Sequence, residues 1–304
     1  MLAGPHPRSL SLGGSAPRSG RRRHLLLAGP LPRSLSLGGS APRWGRRRFE
    51  FRRLYMDRLL EMTARAEREH FWFHGFRRFV RPLLEDAARD VKGRVPTVLD
   101  CGCGTGNNLQ MIRQYGRAFG IDLTYSGLAY ARHHRERLIA QASATALPFP
   151  DRVFDIVTSF DVIYALDDAG AATALKEMYR VMRPGGYLVL NVAALPVLRG
   201  NHSVLGGEVQ RYTRRSLRRH FEDADFGVKR LTYTNISILP MVAGIRFAQR
   251  LIGHRESTQE ISVPVPPVNA ALKVLLAVEA AAVRWVDMPI GSSLLALARR
   301  PEQA

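Results

Sequence analysis

A doubly wound α/β fold built on a mostly parallel sheet is predicted by three features of this 304-residue sequence. From Val95 onward, short β-branched or aliphatic runs alternate with segments of helical period, the pattern of parallel strands joined by helical crossovers. The first run ends in a glycine-rich turn, Asp100-Cys101-Gly102-Cys103-Gly104-Thr105-Gly106, that leads straight into a helical segment. The composition, 46% hydrophobic and 23% charged, suits a chain that buries a core and excludes a wholly disordered or collagen-like protein.

The chain begins with a different kind of sequence. Residues 2–23 recur as residues 27–48 with two differences, His6/Leu31 and Ser19/Trp44. The unit is Gly, Pro, Ser and Arg without helical or strand period, so it has no face to bury against a neighbour. Residues 1–55 are therefore expected to be a disordered tandem repeat, either a polybasic tether to anionic lipid or nucleic acid or translated upstream sequence, with Met56, where patterned sequence begins, the expected start. The repeat carries +11 of the formal charge of +19, leaving +8 for the rest. Bulk charge is thus poor support for a nucleic-acid partner. Of the 45 basic residues only four are Lys. The apolar run at 25–28 is too short for a secretory h-region of roughly 7–15 residues, and no run reaches the ~18 apolar residues of a membrane span. A cytoplasmic protein with reduced Cys101 and Cys103 is expected.

Strands are expected at 97–100, 118–122, 154–159, 186–192, 227–234 and 293–299, with helices at 107–115, 125–137, 169–182 and 213–223. Met182-Arg183-Pro184-Gly185-Gly186 ends the third of these helices, because Pro184 cannot continue it and the glycines permit reversal into the next strand. Thr213 is the expected N-cap of the fourth.

Glycines at the carboxyl end of a first parallel strand let the backbone approach a ligand that a Cβ would exclude, and the helix that follows offers free N–H groups. Asp122 closes the second strand, twenty residues beyond Gly102, where a carboxylate accepts from ribose hydroxyls. A nucleoside ligand follows. The spacing Gly102-x-Gly104-x-Gly106 lacks the Gly-x-Gly-x-x-Gly of a pyrophosphate-binding turn.

After Val98-Leu99-Asp100, this spacing resembles motif I of class I S-adenosyl-L-methionine (SAM) dependent methyltransferases. Three further resemblances follow in order: residues 142–151 (ASATALPFPD) to the adenine loop, Phe154-Asp155-Ile156-Val157 with Phe160-Asp161 to the fourth-strand motif, and residues 180–188 (RVMRPGGYL) to the helix-to-fifth-strand motif. The chain is identified as a methyltransferase type 11-like member, similar to bacterial enzymes of glycolipid and glycan pathways. The resemblance implies a Rossmann-like, doubly wound, seven-stranded sheet and SAM as cofactor. Gly102, Gly104 and Gly106 would wrap the methionine and ribose portions, Asp100 would hold the amino group directly or through water, and Asp122 the ribose. Ser143 and Ala144 would line the adenine, with Ser143 where many relatives have Asp. Asp161 would sit beside the methionine end. Where relatives often continue Glu-His-Leu, this chain has Tyr164-Ala165-Leu166.

Cys101 and Cys103 lack the second pair that a zinc site needs, so no metal is expected. Outside the common core, an amphipathic helix from Met56 to Leu84, in a segment 56–93, is expected either as a lid over the cofactor end or as a helix packed on the sheet. The core is expected at 94–234, a helical insertion at 235–290, and the last strand and tail at 291–304. The insertion is expected either to pack its two helices on each other and on the domain, or to form an apolar acceptor channel or a peripheral contact with the inner face of the membrane. Trp72, Tyr164 and Arg211 are the candidate acceptor-binding residues, Arg211 as a partner for phosphate or carboxylate. His202, in a loop similar to the His-Asp and Arg-Arg-Tyr loop of glycolipid-pathway relatives, is the candidate base. The reading is methyl transfer from SAM to a small-molecule or lipid-linked acceptor, at oxygen. The alternatives are a SAM-binding pseudoenzyme and, disfavoured by Ser159-Phe160-Asp161-Val162, a nucleic-acid methyltransferase.

Overall fold

The computed structural model describes residues 64–199, 208–252 and 263–302; the Arg-rich repeat and His202 lie outside them. Seven strands form one sheet in the order β3-β2-β1-β4-β5-β7-β6. They are β1 (Thr97–Cys101), β2 (Arg117–Asp122), β3 (Ile139–Gln141), β4 (Phe154–Phe160), β5 (Met182–Ala193), β6 (Gly227–Thr234) and β7 (Ser293–Arg299). β1 to β5 are mutually parallel, and β7 runs antiparallel between β5 and β6. Strand order reverses at β1, between β2 and β4, which opens a crevice at the carboxyl ends of β1 and β4.

The helices are α1 (Phe71–Arg89), α2 (Asn107–Ile112), α3 (Tyr125–His133), α4 (Asp168–Val181), α5 (Arg214–Glu222), α6 (Leu239–Ile252) and α7 (Pro266–Val283). Side chains alternate across the sheet with period two. Leu99, Cys101, Val157, Leu188 and Leu190 pack against Ala171, Leu175 and Met178 of α4 and Leu217 and Phe221 of α5. Their sequence neighbours Val98, Ile156 and Val189, with Leu295 and Leu297, face Phe79, Val80 and Leu83 of α1, Leu128 of α3 and Leu276 of α7. Both faces are covered, as a parallel sheet requires.

The expected strands are present, and β3 is added. Its three residues at the sheet edge include only one buried side chain, too short a run to display a period. β5 starts earlier than expected, at Met182, which pairs with Phe154 before a register shift. Gly185 turns there with φ +77°, and Pro184 is tolerated because the ladder is interrupted. Thr213 caps α5 as expected: its hydroxyl accepts from Ser216 N–H at 3.1 Å, and the Ser216 hydroxyl accepts from Thr213 N–H at 3.0 Å.

The N-terminal helix differs from the expectation. Residues 64–69 are helical, but the helix stops at His70, whose extended backbone (ψ 137°) and Nδ1, accepting from Trp72 N–H at 3.1 Å, start α1 afresh. α1 then packs on the sheet along its length, so only the 64–70 segment and the first turn of α1 reach over the cofactor end. α7 lies beside α1, clamped by the buried Asn269. Its Oδ1 accepts from Phe71 N–H at 2.8 Å and its Nδ2 donates to Glu69 O at 2.9 Å. A Cβ on Gly75 would stand 2.4 Å from Leu276, so glycine sets the closeness of the two helices.

Asp155 ties the lower edge of β4 to its surroundings. Its buried carboxylate accepts from Thr97 N–H and Oγ1 at 2.8 and 2.9 Å, from Arg183 at 3.0 Å, and from both terminal nitrogens of Arg94. Burial alone would raise its pKa, but the hydrogen bonds from Arg94 and Thr97 outweigh this and hold it below the ordinary carboxylate value. Asp155→Ala removes the shared acceptor of the half-buried Thr97 donors and of two partly exposed Arg side chains and is expected to cost about 2 kcal/mol at pH 7. A depressed folded-state pKa gives stability that is present above the unfolded pKa and lost as pH falls through the folded one. Urea unfolding of wild type and variant at pH 7 and pH 3 should therefore show the gap narrowing in acid.

Candidate functional site

The glycine turn carries three left-handed residues within five: Gly102, Gly104 and Gly106 have φ of +87°, +50° and +82°, a conformation costly for residues with a Cβ. Gly102 and Cys103 donate N–H to Ile121 O at 2.7 and 2.9 Å, which holds the turn against β2. A Cβ on Gly102 would strike Val162, and one on Gly106 would strike Glu136 and Ala131 of the α3 region; around Gly104 nothing stands within 4 Å. Gly102 and Gly106 thus serve packing, and Gly104 borders open space. The two thiols take no part. Cys101 and Cys103 are buried on opposite faces of the sheet, where burial raises both pKa values, and among the described residues no cluster could hold a metal ion.

Three carboxylates surround this turn. Asp100 is 1% exposed; its Oδ1 accepts from the Thr158 hydroxyl at 2.6 Å and its Oδ2 has no hydrogen-bond partner. Burial pushes its pKa up to about 7, against the Thr158 hydrogen bond and with help from the Asp122 charge. Asp122 braces the turn from β2: Oδ2 accepts from Gly104 N–H and Oδ1 from Thr124 N–H, each at 2.8 Å, and Oδ1 also from the Thr124 hydroxyl. Glu67, from the segment before α1, accepts from the Thr105 hydroxyl and the Asn107 amide. Sequence reasoning missed Glu67, since a contact across 38 residues leaves no local signal.

The loop after β3 is fastened to the same strand end by Ala142 N–H on Asp122 O at 3.0 Å. Ser143 and Ala144 are half-buried there. The Ser143 hydroxyl is already used within its own turn, 2.7 Å from Thr145 Oγ1 and accepting from Thr145 N–H at 3.2 Å.

Beyond β4 the chain turns at Asp161, a non-glycine residue at φ +58°. Asn191 of β5 fixes it from both sides: Asp161 N–H donates to Asn191 O, and Asn191 Nδ2 donates to Asp161 Oδ1, each at 2.9 Å. Burial pushes the Asp161 pKa up to about 7, with Asn191 and Arg211 opposing and Glu208 assisting. A cavity of about 270 Å³ opens beside it, lined by Trp72, Asp161, Tyr164, Glu208, Arg211 and Ile238 among others. The cavity gathers Trp72, Tyr164 and Arg211, separately expected at the acceptor, with Asp161, expected at the cofactor. Arg211 differs from expectation in its electrostatics. Its guanidinium forks onto Glu208 at 2.7 and 2.9 Å, both side chains nearly buried, so its charge is neutralised within the protein. Burial, then the Asp161 and Glu208 charges, push the Tyr164 hydroxyl up to about 12.

These residues fit a zwitterionic amino-acid nucleoside. A buried carboxylate oxygen without a partner awaits a cationic donor, Gly104 leaves room where a Cβ would project, and Asp122 and the 142–146 loop form an edge for a nucleoside.

The chain matches a family described as a methyltransferase domain over residues 99–190. It is 29% identical to the ubiquinone/menaquinone biosynthesis C-methyltransferase UbiE of Enterobacter sp. (strain 638), over 51% of this chain and 75% of that protein. It is 39% identical to a malonyl-[acyl-carrier protein] O-methyltransferase of Yersinia pestis, over 32% of this chain but only 36% of that one. In solved structures, a chain of the Haloferax volcanii complex between a Trm112 methyltransferase activator and a methyltransferase shares the fold, with a TM-score of 0.52 at 18% identity, over 81% of this chain and 98% of that one. The chain carries a class I SAM-dependent methyltransferase domain, and S-adenosyl-L-methionine is its cofactor.

Two outcomes follow. Gly104→Ala, strained in φ but free of clashes, is expected to weaken SAM binding at least tenfold while lowering the unfolding free energy only slightly, by about 1 kcal/mol, as calorimetry and thermal melts would show. Asp100 should bind the SAM ammonium only when ionised. Affinity is expected to rise about tenfold from pH 5.5 to 7.5, and Asp100→Asn should flatten that rise. Without ligand the sign is opposite: a raised carboxylate pKa lowers fold stability as pH climbs from the unfolded value toward 7.

Proposed function

We propose that this SAM-dependent methyltransferase methylates an oxygen of a small-molecule or lipid-linked acceptor seated in the cavity of Trp72, Asp161, Tyr164 and Arg211. The observation that carries the reading is the contact between Gly102 and Val162. Through it the loop that bears Asp161 and Tyr164 packs directly on the glycine turn, so cofactor cradle and acceptor cavity share a wall. In this reading Asp100 takes the ammonium, Asp122 the ribose hydroxyls, and Ser143 with Ala144 the adenine. Bound there, SAM supplies a methyl group already activated on a sulfonium, so the protein's task is alignment, worth roughly 7–11 kcal/mol.

A hydroxyl acceptor also needs its proton removed. Asp161 is the carboxylate in the cavity whose pKa lies near neutrality, and its backbone strain and the Asn191 clamp hold it in one orientation. His202 stays a second candidate base from the sequence. Trp72 and Ile238 give the cavity apolar walls suited to a ring or chain. An acceptor phosphate would have to displace Glu208 from Arg211, which favours a neutral reacting group. The two curated relatives are named for C- and O-methylation, so the preference for oxygen rests on Asp161 and the cavity. The reaction is placed in the cytoplasm, at the inner membrane face if the acceptor is lipid-linked.

Calorimetric titration with SAM and with its demethylated product tests this. Micromolar binding of both is expected, and none would sink the reading. Asp122→Ala should weaken SAM binding roughly tenfold to a hundredfold; unchanged affinity would refute the ribose assignment. Asp161→Asn should cut methyl transfer from labelled SAM into a cell extract by about a hundredfold.

A further inference from the structure

By length and composition α7 could cross a membrane, yet two polar anchors hold it in the domain. Asn269 in its first turn bridges Glu69 O and Phe71 N. The buried Glu279 carboxylate accepts from the N–H groups of Ile236 and Ser237 at 2.9 and 3.0 Å. Drawing the helix into a bilayer would leave these groups unsatisfied in hydrocarbon. It therefore lies on the domain surface, and its outer face needs a partner. Val268, Ala271, Val274, Leu275 and Val278 recur there at helical spacing without a charge among them, and Trp285 follows in the turn just past the helix. Val274 and Val278 are 64% and 63% exposed, and Trp285 is 86% exposed. An uncharged stripe ending in an exposed indole suits the boundary between water and acyl chains.

The neighbouring helix supplies the charge. α1 lies against α7 through Gly75 and Leu276, and its outward arc exposes Arg78 and Arg81. On the far side of that arc, Arg68, Arg77 and Arg81 converge on a cleft of about 270 Å³, faced across by Asn107, Gln110 and Gln114. Among the described residues the lining includes no carboxylate, and Glu67 borders it only through Asn107. Arg68 donates to the Tyr130 hydroxyl and Arg77 to Glu67 O, while Glu67 itself is held by Thr105 and Asn107. Burial depresses the Arg77 pKa; the nearby Glu67 charge opposes this, and the weaker repulsion from Arg81 adds to the depression. Three guanidiniums and the Gln110 and Gln114 amides are thus gathered around one carboxylate, Glu67, which Thr105 and Asn107 already occupy, an arrangement with positive charge in excess that takes a phosphate. The cleft runs along α2 from Asn107 and past its end to Gln114.

We propose that this face docks the protein peripherally on an anionic phospholipid surface, with the α7 stripe among the acyl chains and the Arg68, Arg77 and Arg81 cleft on a headgroup phosphate. The docking rests on the proposed acceptor only for its purpose, since α1 also contributes Trp72 to the acceptor cavity and so links it to the membrane face.

The test is flotation of the full chain with vesicles of phosphatidylglycerol and phosphatidylcholine in equal parts, and with phosphatidylcholine alone, at 0.15 M salt. Binding to the first and little to the second is expected. The double variant Val274→Asp/Val278→Asp should lose at least tenfold in partitioning, and Arg81→Glu about fivefold or more. Both variants should keep wild-type affinity for SAM in calorimetry, which separates loss of docking from misfolding and from failure of the methyltransferase reading. If the double variant floats like wild type, the Arg-rich repeat carries the binding and the proposal is overturned. It is equally overturned if wild type stays off the anionic vesicles, whether because the stripe pairs with a second copy, seen as a concentration-dependent dimer that the double variant abolishes, or because the cleft takes inorganic phosphate alone.

Discussion

Between β1 and α2 the backbone must turn left-handed three times in five residues, and much of the site's architecture is arranged to hold that turn. Three φ values between +50° and +87° leave the chain in conformations that only glycine adopts cheaply. The turn is kept from relaxing by partners on every side: Ile121 O and the Asp122 carboxylate from β2, Val162 from the loop after β4, and Ala131 with Glu136 from the α3 region. These partners are delivered from three places in the sheet and its crossovers: β2, the loop after β4 and the α3 region. The topology that reverses at β1 therefore does more than open a crevice, because it brings β2 and β4 to either flank of one rigid loop. Substituting the turn disturbs the acceptor side through Val162 as well as the cofactor side.

The same sheet sorts its aspartates by end. Asp155 enters β4 at the edge where Arg94 and Arg183 converge, and its carboxylate is held ionised. Asp100 and Asp161 lie at the opposite end, at the close of β1 and just past β4, where the protein provides one side-chain hydrogen bond to each and no adjoining Arg except the already paired Arg211. Burial then dominates and both settle near neutrality. Equivalent side chains become structural ties at one edge and chemically adjustable groups at the other, because donors are supplied at one and withheld at the other. The withheld donors are what a cationic ligand or an acceptor proton would replace.

Much of this was legible in the sequence, and the omissions have physical causes. Strands of five or more residues announced themselves because both faces of the sheet are buried and their apolar runs are long. β3, a three-residue edge strand, had no run to show. The glycine turn, Asp122 and the Thr213 cap were readable because each depends on local backbone chemistry. The Ser143 hydroxyl was not, since its choice between Thr145 and a ligand depends on the path of the loop. Glu208 and Arg211 stand three residues apart in the sequence, but that spacing predicts a pair only on a helix, and here an irregular loop brings them together. The break at His70 was hidden by amphipathic character continuing on either side of it.

α1 shows why the remaining functional questions are coupled. Its inner face, with Phe79, Val80 and Leu83, completes one layer of the core; its first turn gives Trp72 to the cavity proposed for the acceptor; its outer arc carries Arg77, Arg78 and Arg81. A helix distributes residues around its axis every 3.6 positions, so one rigid rod can serve core, cavity and surface at once. Movement of the rod would alter all three, since Gly75 leaves no slack against Leu276. Substitutions on its buried inner face consequently reach the core, the cavity and the surface together, whereas the exposed Arg81 stands clear of the core. The exposed stripe of α7 is different: Val274 and Val278 touch neither cavity nor cleft, so a change in what the protein adheres to can be read there without a change in what it catalyses.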